Sequence, residues 1–217
     1  LTTILALLIF FLVLCYAPIS SVQANPDTYT FQPPTADNFL DQTGDYNYGG
    51  ATFVQVYPYT GQHRRPVLKF DMSSQIPSGA TIISATLSLY YYQAGGSPTG
   101  RTYWTYRITQ TDWVEGTGTG DPQTGSSDWA CRQHNTLLWT TAGGTYTTTN
   151  GSSTTVPSSF GWMNWNVKDQ VQYAVNYVGR VAHFLIRDGT EDGQTDGCLF
   201  YSKESGSANK PKLYVEW

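Results

Sequence analysis

Hydrophobic and polar side chains alternate with a period of two along much of this chain, and the clearest example is Arg65–Tyr92. From Ala85 onward, alanine and leucine positions alternate with threonine, serine and tyrosine, which gives a strand one apolar face and one polar face. The residues Ile76-Pro77-Ser78-Gly79, just before this strand, are typical of a turn, because proline presets φ and glycine accepts a positive φ. The pattern predicts two antiparallel strands joined by a turn.

Similar short runs, separated by turn residues, recur to the end of the chain. The predicted strands are Thr28–Phe31, Phe53–Tyr57, Val67–Asp71, Ile82–Gln93, Tyr103–Thr109, Leu137–Trp139, Gly161–Asn166, Val181–Arg187, Cys198–Ser202 and Lys212–Trp217. Sustained alternation favours antiparallel sheets with one buried face each. We therefore predict an all-β fold, an antiparallel β-sandwich or jelly roll.

Three segments depart from this alternation. Valine and alanine recur at helical spacing near 167–178, with Asn166 as a possible N-cap and Asp169 three residues later, which predicts one short helix over an end of the sandwich. Gly116–Ser127 and Gly143–Ser159 are rich in glycine, serine and threonine and are predicted to be long loops.

The N-terminal segment 1–24 predicts a cleaved signal peptide, since Leu1–Tyr16 is apolar and Val22-Gln23-Ala24 suits cleavage before Asn25. The alternative is a retained hydrophobic N-terminal helix, as in pilin-like filament subunits. Residues 25–217 are long enough for a single domain with a core. We expect a secreted protein, outside the cell or at its surface, that has no membrane contact after cleavage.

Composition narrows the function classes. Charged residues make up 13% of the chain, aromatic residues 15%, and the net charge is −4. No basic run is present, so nucleic acid and anionic membranes are unfavourable partners.

Cys131 and Cys198 predict one disulfide in a secreted domain, with two buried thiols as the alternative. Asn150-Gly151-Ser152 is a glycosylation sequon.

Motifs for catalysis are missing from the sequence. The three histidines are scattered, and no Gly-x-Ser-x-Gly elbow is present. We therefore expect no enzyme activity, although carboxylates that converge in space would allow a lyase or hydrolase. The acids concentrate in loops, where they are either solvated or bind a structural Ca²⁺. The candidate calcium ligands are Asp37, Asp41, Asp45 and Asn47.

Aromatic side chains are the best candidates for ligand contacts, because exposed rings stack on the apolar faces of sugars. Several tyrosines and tryptophans qualify, including Tyr91, Tyr103, Tyr106 and Trp162. Of all the candidates, we predict Tyr90, Tyr92, Trp104 and Trp129 as the carbohydrate-binding residues. The core tryptophans are expected to be Trp113, Trp139, Trp165 and Trp217.

A series of short motifs between Pro34 and Trp217 resembles the DNRLRE domain family, secreted β-sandwich modules related to the disaggregatase-associated domains of archaea. The motifs are Pro34-Thr35-Ala36-Asp37, Asn47-Tyr48-Gly49-Gly50, Arg65–Asp71, Ile76–Ala80, Ala85–Leu89, Trp113–Gly116, Trp139–Gly144, Trp165-Asn166-Val167, Phe200–Glu204 and Pro211–Val215. The chain departs from the family at Val178-Gly179-Arg180, where an Asn-Tyr-Gly-like segment is usual.

The resemblance implies noncatalytic carbohydrate binding, in some members to acidic polysaccharides. Arg65 and Glu204 lie in family-like motifs, and we expect them to form a structural ion pair, with a role in ligand binding as the alternative. The predicted function is a secreted carbohydrate-binding module that recognises a polysaccharide. The alternative is a structural subunit of an extracellular matrix or filament that binds copies of itself.

Overall fold

Two antiparallel β-sheets pack face to face in the computed structural model, which describes residues 26–217. The predicted all-β sandwich with one short helix is confirmed. The predicted signal peptide, residues 1–24, lies outside the described residues. Within residues 26–217, no helix is long and apolar enough to cross a membrane.

Residues 26–217 contain thirteen strands and one helix. In chain order they are β1 (Thr28–Phe31), β2 (Ala36–Asp41), β3 (Phe53–Val56), β4 (Arg64–Asp71), β5 (Ser84–Gly95), β6 (Thr102–Ile108), β7 (Cys131–Gln133), β8 (Leu137–Leu138), β9 (Tyr146–Thr155), β10 (Gly161–Asn166), α1 (Lys168–Tyr177), β11 (Val181–Asp188), β12 (Gly197–Tyr201) and β13 (Lys212–Glu216).

The first sheet is organised around β5, the longest strand. Its strand order is β1-β13-β5-β12-β3, with β10 paired to the other edge of β5. Leu87 of β5 lies opposite Leu213 of β13 and Trp165 of β10. The second sheet has the order β2-β4-β11-β6-β9. Strand β1 pairs with β13, so the first and last strands of the described chain are neighbours.

The main core lies between the sheets and is built from alternate residues of their strands. In β11, Phe184 and Ile186 belong to this core, whereas Leu185 belongs to a second apolar cluster. A period-two strand points successive side chains to opposite faces, so the second cluster lies on the outer face of the second sheet. At about 25 cal/mol per Å² of buried apolar surface, the facing strands of the main core supply most of the driving force for folding.

The second cluster is covered by residues 109–145, which connect β6 to β9 and which we name the cap segment. Trp113 and Trp139 of this segment are buried against Leu40, Val67 and Leu185. The short β7–β8 ladder belongs to the same segment. The cap segment therefore covers part of the outer face of the second sheet and leaves the β6–β9 part open.

Strand β9 corrects the sequence analysis, which predicted a loop over Gly143–Ser159. It pairs with β6 from Thr102↔Thr155 to Ile108↔Tyr146, with an irregularity between Thr105 and Arg107. Its residues are mostly threonine and serine and are largely exposed or half-buried. An edge strand with so little buried surface has no apolar alternation to reveal it. Strand β2 was also not predicted.

Helix α1 agrees with the predicted region, but its N-terminus differs in detail. The N-cap residue is Val167 and makes no side-chain capping bond. Asn166, the predicted cap, lies one residue earlier and accepts a hydrogen bond from the Lys168 N–H at 3.2 Å. Val171 and Ala174 face the main core, which holds the helix against the end of the sandwich.

The predicted disulfide between Cys131 and Cys198 is wrong, because both are free, buried thiols. Cys198 lies in the main core on β12, and burial raises the pKa of its thiol to about 12. Cys131 lies on β7 of the cap segment, beside Asp128 and His134. The two cysteines thus belong to separate parts of the fold, and the alternative of two buried thiols holds.

Candidate functional site

Both sheets carry half-buried aromatic side chains on their outer faces. On the second sheet these are Trp104 and Tyr106 of β6 and Tyr146 of β9, which we name the aromatic row. The planes of Trp104 and Tyr106 are 8° apart with centroids at 5.9 Å, and those of Tyr106 and Tyr146 are 10° apart at 5.1 Å. Along β6 the intervening Tyr103 and Thr105 are fully buried, so alternation turns the row outward.

Arg187 of β11 lies next to the aromatic row and is fixed by two hydrogen bonds and an ion pair. It is the Cα partner of Trp104 in the sheet. Its Nη1 donates to the Tyr146 hydroxyl at 2.7 Å, and its Nε donates to the Asp188 carbonyl at 3.1 Å. Its Nη2 lies 2.7 Å from a carboxylate oxygen of Glu191. A cation is therefore held rigidly beside the rings.

Glu191 also binds Arg65, which connects the aromatic row to the cap segment. Arg65 Nε and Nη2 each donate to Glu191 at 2.8 Å. Arg65 Nη1 donates to the Gly143 carbonyl at 2.9 Å, and the guanidinium lies 4.8 Å from the ring centroid of Trp129. A bidentate arginine–carboxylate pair is strong and geometrically specific. The pair fixes Trp129 relative to the second sheet.

The predicted ion pair between Arg65 and Glu204 is therefore wrong. Arg65 is bonded to Glu191, from the loop after β11, while Glu204 pairs with Lys203. The sequence motifs indicated which strands meet in the core but not which loop carboxylate reaches the guanidinium.

A second aromatic surface lies on the outer face of the first sheet. Tyr92 and Tyr201 are stacked at 4.3 Å with planes 9° apart, and Tyr90 lies 5.9 Å from Tyr201. Trp162 meets Tyr90 edge-on at 5.3 Å, and the Lys212 ammonium lies 4.0 Å from the Trp162 centroid. Here the rings pack largely on one another, and Lys212 covers the tryptophan.

The four predicted binding residues do not form one site. Tyr90 and Tyr92 lie on the first sheet, Trp104 is in the aromatic row, and Trp129 is half-buried under Arg65. Sequence reasoning missed Tyr146, which falls in a predicted loop. It also missed the residues Tyr201, Arg187 and Glu191. Alternation could have found Tyr201, since the neighbouring Phe200 is buried in the core.

The expected core tryptophans are confirmed at three of four positions. Trp113, Trp139 and Trp165 are buried, whereas Trp217 is half-buried at the end of the last strand. Tyr91 and Tyr103, two of the wider aromatic candidates, are also buried and cannot contact a ligand directly.

The predicted calcium ligands Asp37, Asp41, Asp45 and Asn47 do not converge, so that site is wrong as a set. Asp41 pairs with Arg64 at 2.9 Å, and Asp45 is exposed. The Asn47 side chain is bonded to backbone groups of the cap segment. The loops have separate hydrogen-bonding roles, which residue spacing does not reveal.

Two other groups of metal-ligating side chains are present among the described residues. One contains Asp128, Cys131 and His134 in the cap segment. Asp128 Oδ1 accepts from the N–H groups of Ala130 and Cys131, and Asp128 Oδ2 lies 2.7 Å from His134 Nδ1. Burial raises the pKa of the Cys131 thiol. These bonds hold the hairpin turn. The other group contains Asp37, Glu115 and Glu204.

The carboxylates near the aromatic row serve as fixed counter-charges. Burial alone would raise the pKa of Asp188, but hydrogen bonds from Arg101 and from Thr190 hold that pKa below its ordinary value. Asp188 also accepts from Arg101 at 2.6 Å. A general acid for sugar chemistry needs a raised pKa. The hydrogen bonds at Asp188 thus favour its ionised form, which serves as a counter-charge for Arg101.

The sequon residue Asn150 is exposed, in the irregular part of β9, with φ = 59°. The following Gly151 lies against the Tyr106 ring, since a Cβ there would lie 2.5 Å from Tyr106 Cε1. Asn150 itself lies beside the start of α1, where its carbonyl accepts a hydrogen bond from Gln170 at 3.1 Å.

Comparison with known proteins gives one family similarity. Residues 28–128 match the model of Carbohydrate-binding module family 96. The matched region runs from β1 through β6 into the cap segment, and it includes Trp104 and Tyr106. This match shows that the chain is similar to carbohydrate-binding modules. The resemblance to the DNRLRE family stays a prediction. No curated protein matches the chain.

Proposed function

We propose that this protein is a secreted, noncatalytic carbohydrate-binding module that recognises a polysaccharide at or outside the cell surface. The observation that carries the proposal is the aromatic row, three half-buried rings with parallel planes beside a fixed arginine. Parallel rings can stack on successive sugar units, while neighbouring polar groups set their orientation. The similarity to a carbohydrate-binding module family supports the same function.

The charges around the row favour an acidic polysaccharide. Arg65 and Arg187 share the single carboxylate of Glu191, so these three side chains carry one net positive charge. The nearby carboxylates of Asp188 and Asp192 are both paired with Arg101. Arg187 uses three of the five N–H donors of a guanidinium on protein acceptors. Its two remaining donors can bind a sugar carboxylate or hydroxyl.

The aromatic row is favoured over the surface on the first sheet because each pair of neighbouring ring planes lies within 10° and an arginine is fixed beside them. Tyr92 and Tyr201 stack on each other at 4.3 Å, and Lys212 lies over Trp162. A sugar would have to displace these contacts, whereas the row has its rings already aligned along two neighbouring strands.

The test is affinity electrophoresis of the purified protein in gels with polygalacturonate or a neutral glucan. We expect retardation by the acidic polysaccharide, and we expect Trp104→Ala to weaken binding about tenfold, as loss of about 1.4 kcal/mol would give. Tyr177→Ala is the control, since Tyr177 is 72% exposed on α1, away from both aromatic surfaces. Failure to bind any member of a broad glycan panel would overturn the proposal.

Secretion and the noncatalytic role are tested separately. N-terminal sequencing of protein recovered from the medium should find Asn25 as the first residue. Prolonged incubation with a bound polysaccharide should release no new reducing ends or unsaturated products. Either release of fragments or retention of residues 1–24 would contradict the corresponding part of the proposal.

The alternative function is a structural subunit of an extracellular matrix or filament, and the aromatic surface on the first sheet is the surface that we test for contact with a second copy. Sedimentation over a range of protein concentrations distinguishes the two functions. A monomer that binds glycan supports the module, whereas assembly that Tyr92→Ala abolishes, without glycan binding, supports the structural subunit.

A further inference from the structure

We propose that Asp37, Glu115 and Glu204 form a binding site for one Ca²⁺, at a place separate from the aromatic row. Asp37 lies in β2, Glu115 in the cap segment and Glu204 in the turn after β12. One oxygen from each side chain lies within 4.8 Å of the others. Three distant parts of the chain thus bring three carboxylates to one point, and the proposal does not depend on the proposed function.

Two oxygens of this cluster are buried without a hydrogen-bond donor. Asp37 is 0% exposed; its Oδ2 accepts from the Lys203 N–H at 2.8 Å, but its Oδ1 has no partner. Glu204 Oε2 is likewise buried and unpartnered. Leaving a buried carboxylate oxygen unsatisfied is strongly unfavourable, and native proteins seldom do so. Two such atoms in one cluster indicate that a further positive group binds there.

Lys203 supplies only part of the required positive charge. Its ammonium lies 3.1 Å from Glu115 Oε2 and also contacts Glu204 Oε1. Glu115 Oε1 accepts from the Asp37 N–H at 2.6 Å. The Lys69 ammonium donates a hydrogen bond to the Trp113 carbonyl. It interacts with the Glu115 carboxylate only electrostatically, at longer range. The Lys203 ammonium therefore contacts two of the three carboxylates, and with all three ionised the cluster has two uncompensated negative charges, which a divalent cation would neutralise.

The rival occupant is a proton. Burial, followed by the charges of Glu204 and Glu115, raises the pKa of Asp37 well above its ordinary value. A proton on Asp37 is therefore favoured relative to an exposed aspartate, and Ca²⁺ competes with it. Metal binding at carboxylates releases protons in this way, so the affinity should fall as the pH is lowered.

The donor set favours Ca²⁺ over other divalent metals. All the side-chain ligands are carboxylate oxygens, which suit hard cations, whereas Zn²⁺ sites in proteins usually include histidine or cysteine. Ca²⁺ accepts six to eight oxygens in flexible geometry, so carboxylates and water can complete its shell. Mg²⁺ demands a nearly ideal octahedron and dehydrates reluctantly.

A cation here would fasten the cap segment to the sandwich. Glu115 follows directly after Trp113 and Val114, and Trp113 is buried against the second sheet. The Asn47 side chain donates to the Glu115 carbonyl, so the same residue is already held through its backbone. The metal would add a link from the Glu115 side chain to β2 and to the turn after β12.

The experiment measures Ca²⁺ binding to the purified protein after treatment with EDTA. Calorimetry should find one site, and saturating Ca²⁺ should raise Tm by about 5 °C, as expected for a ligand well above its Kd. Asp37→Asn and Glu204→Gln should each weaken Ca²⁺ binding at least tenfold and reduce the shift. Asp45→Asn is the matched control, since Asp45 is an exposed acid of the same region, and it should bind as the native protein does.

If a proton is the only occupant, Ca²⁺ should give neither heat nor a Tm shift. Asp37→Asn replaces a buried carboxyl with a neutral group of the same shape, so the metal-free variant should fold and have a Tm at or above that of the metal-free native protein. No heat and no Tm shift with millimolar Ca²⁺ would overturn the proposal. Equal shifts in the native protein and both variants would also overturn it, because Ca²⁺ would then bind elsewhere. If Asp37→Asn fails to fold, Ca²⁺ binding to Glu204→Gln still tests the proposed site.

Discussion

Arg65 and Glu191 are 126 positions apart in the chain, yet they form two parallel hydrogen bonds of 2.8 Å each. Only 10% of the Arg65 side chain and 7% of the Glu191 side chain are exposed. Glu191 also binds Arg187, and Arg65 lies over Trp129. The pair therefore joins β4, the loop after β11 and the cap segment beside the aromatic row.

Removing the shared carboxylate should be costly. Glu191→Ala leaves two guanidinium groups without their counter-charge, and breaking a buried ion pair typically costs about 3–5 kcal/mol. Chemical denaturation measures the change in the free energy of unfolding. Asp112→Asn is the control: Asp112 pairs with Arg132 but its side chain is 51% exposed, so less than about 1 kcal/mol is expected. Equal losses for both variants would contradict the structural role of Glu191.

The Tyr146 ring and its hydroxyl should contribute separately to glycan binding. Tyr146→Phe keeps the ring but removes the acceptor for Arg187 Nη1, so we expect a loss of about 1 kcal/mol, or roughly fivefold in affinity. Tyr146→Ala removes the ring and should weaken binding by more than tenfold. Calorimetric titration with a defined oligosaccharide compares the two. Identical affinities for Tyr146→Phe and Tyr146→Ala would show that the ring itself does not contact sugar.

His183 should make stability depend on pH in the acidic range. Its Nδ1 accepts a hydrogen bond from Trp113 Nε1 at 3.0 Å, and burial, followed by the charge of Lys69, lowers its pKa to about 4. Between the unfolded pKa of about 6.5 and the folded pKa of about 4, the unfolded chain binds more protons. Stability due to His183 is therefore fully present above pH 6.5 and is lost as the pH falls toward 4.

The measurement is an NMR titration of the histidine rings, together with denaturation at several pH values. The slope attributable to His183 is at most about 1.4 kcal/mol per pH unit. His183→Gln should flatten the stability profile between pH 4 and 6.5. A His183 ring that titrates near pH 6.5 in the folded protein would refute this prediction.

We expect the stability of the protein to be insensitive to reducing agents. Since Cys131 and Cys198 are both free, alkylation of the unfolded protein without prior reduction should label both. In the native state both should react slowly, because they are buried and burial raises the pKa of each thiol. Recovery of a disulfide-linked peptide containing Cys131 and Cys198 would contradict the structure.

The sequence predicted those parts of the fold in which one strand face is buried. Alternation in Ala85–Tyr90 and Val181–Arg187 located β5 and β11, because a sheet face that packs on the core needs an apolar residue at every second position. Strand β9 was not predicted from the sequence, because its threonines and serines are mostly exposed or half-buried. Its pairing with β6 depends on backbone hydrogen bonds that carry no side-chain signature.

The candidate site was only partly predictable for a related reason. Trp104 was accessible to sequence reasoning because it alternates with buried Tyr103. Glu191 and Glu204 lie in loops, and only the folded chain determines which cation each one meets. The same holds for Asp37, which was paired by spacing with Asp41 and Asp45 but is brought by tertiary structure to Glu115 and Glu204.

The neighbouring positions of β1 and β13 have a consequence for biosynthesis. Tyr29 lies opposite Val215, so the sheet edge that holds both strands cannot form until Lys212–Glu216 have left the ribosome. Until then β5 lacks its β13 neighbour, and an unpaired strand edge of this kind favours aggregation. Most contacts of such a topology join residues distant in sequence, which slows folding. A nascent chain stalled before Lys212 should therefore depend on chaperones far more than the completed one.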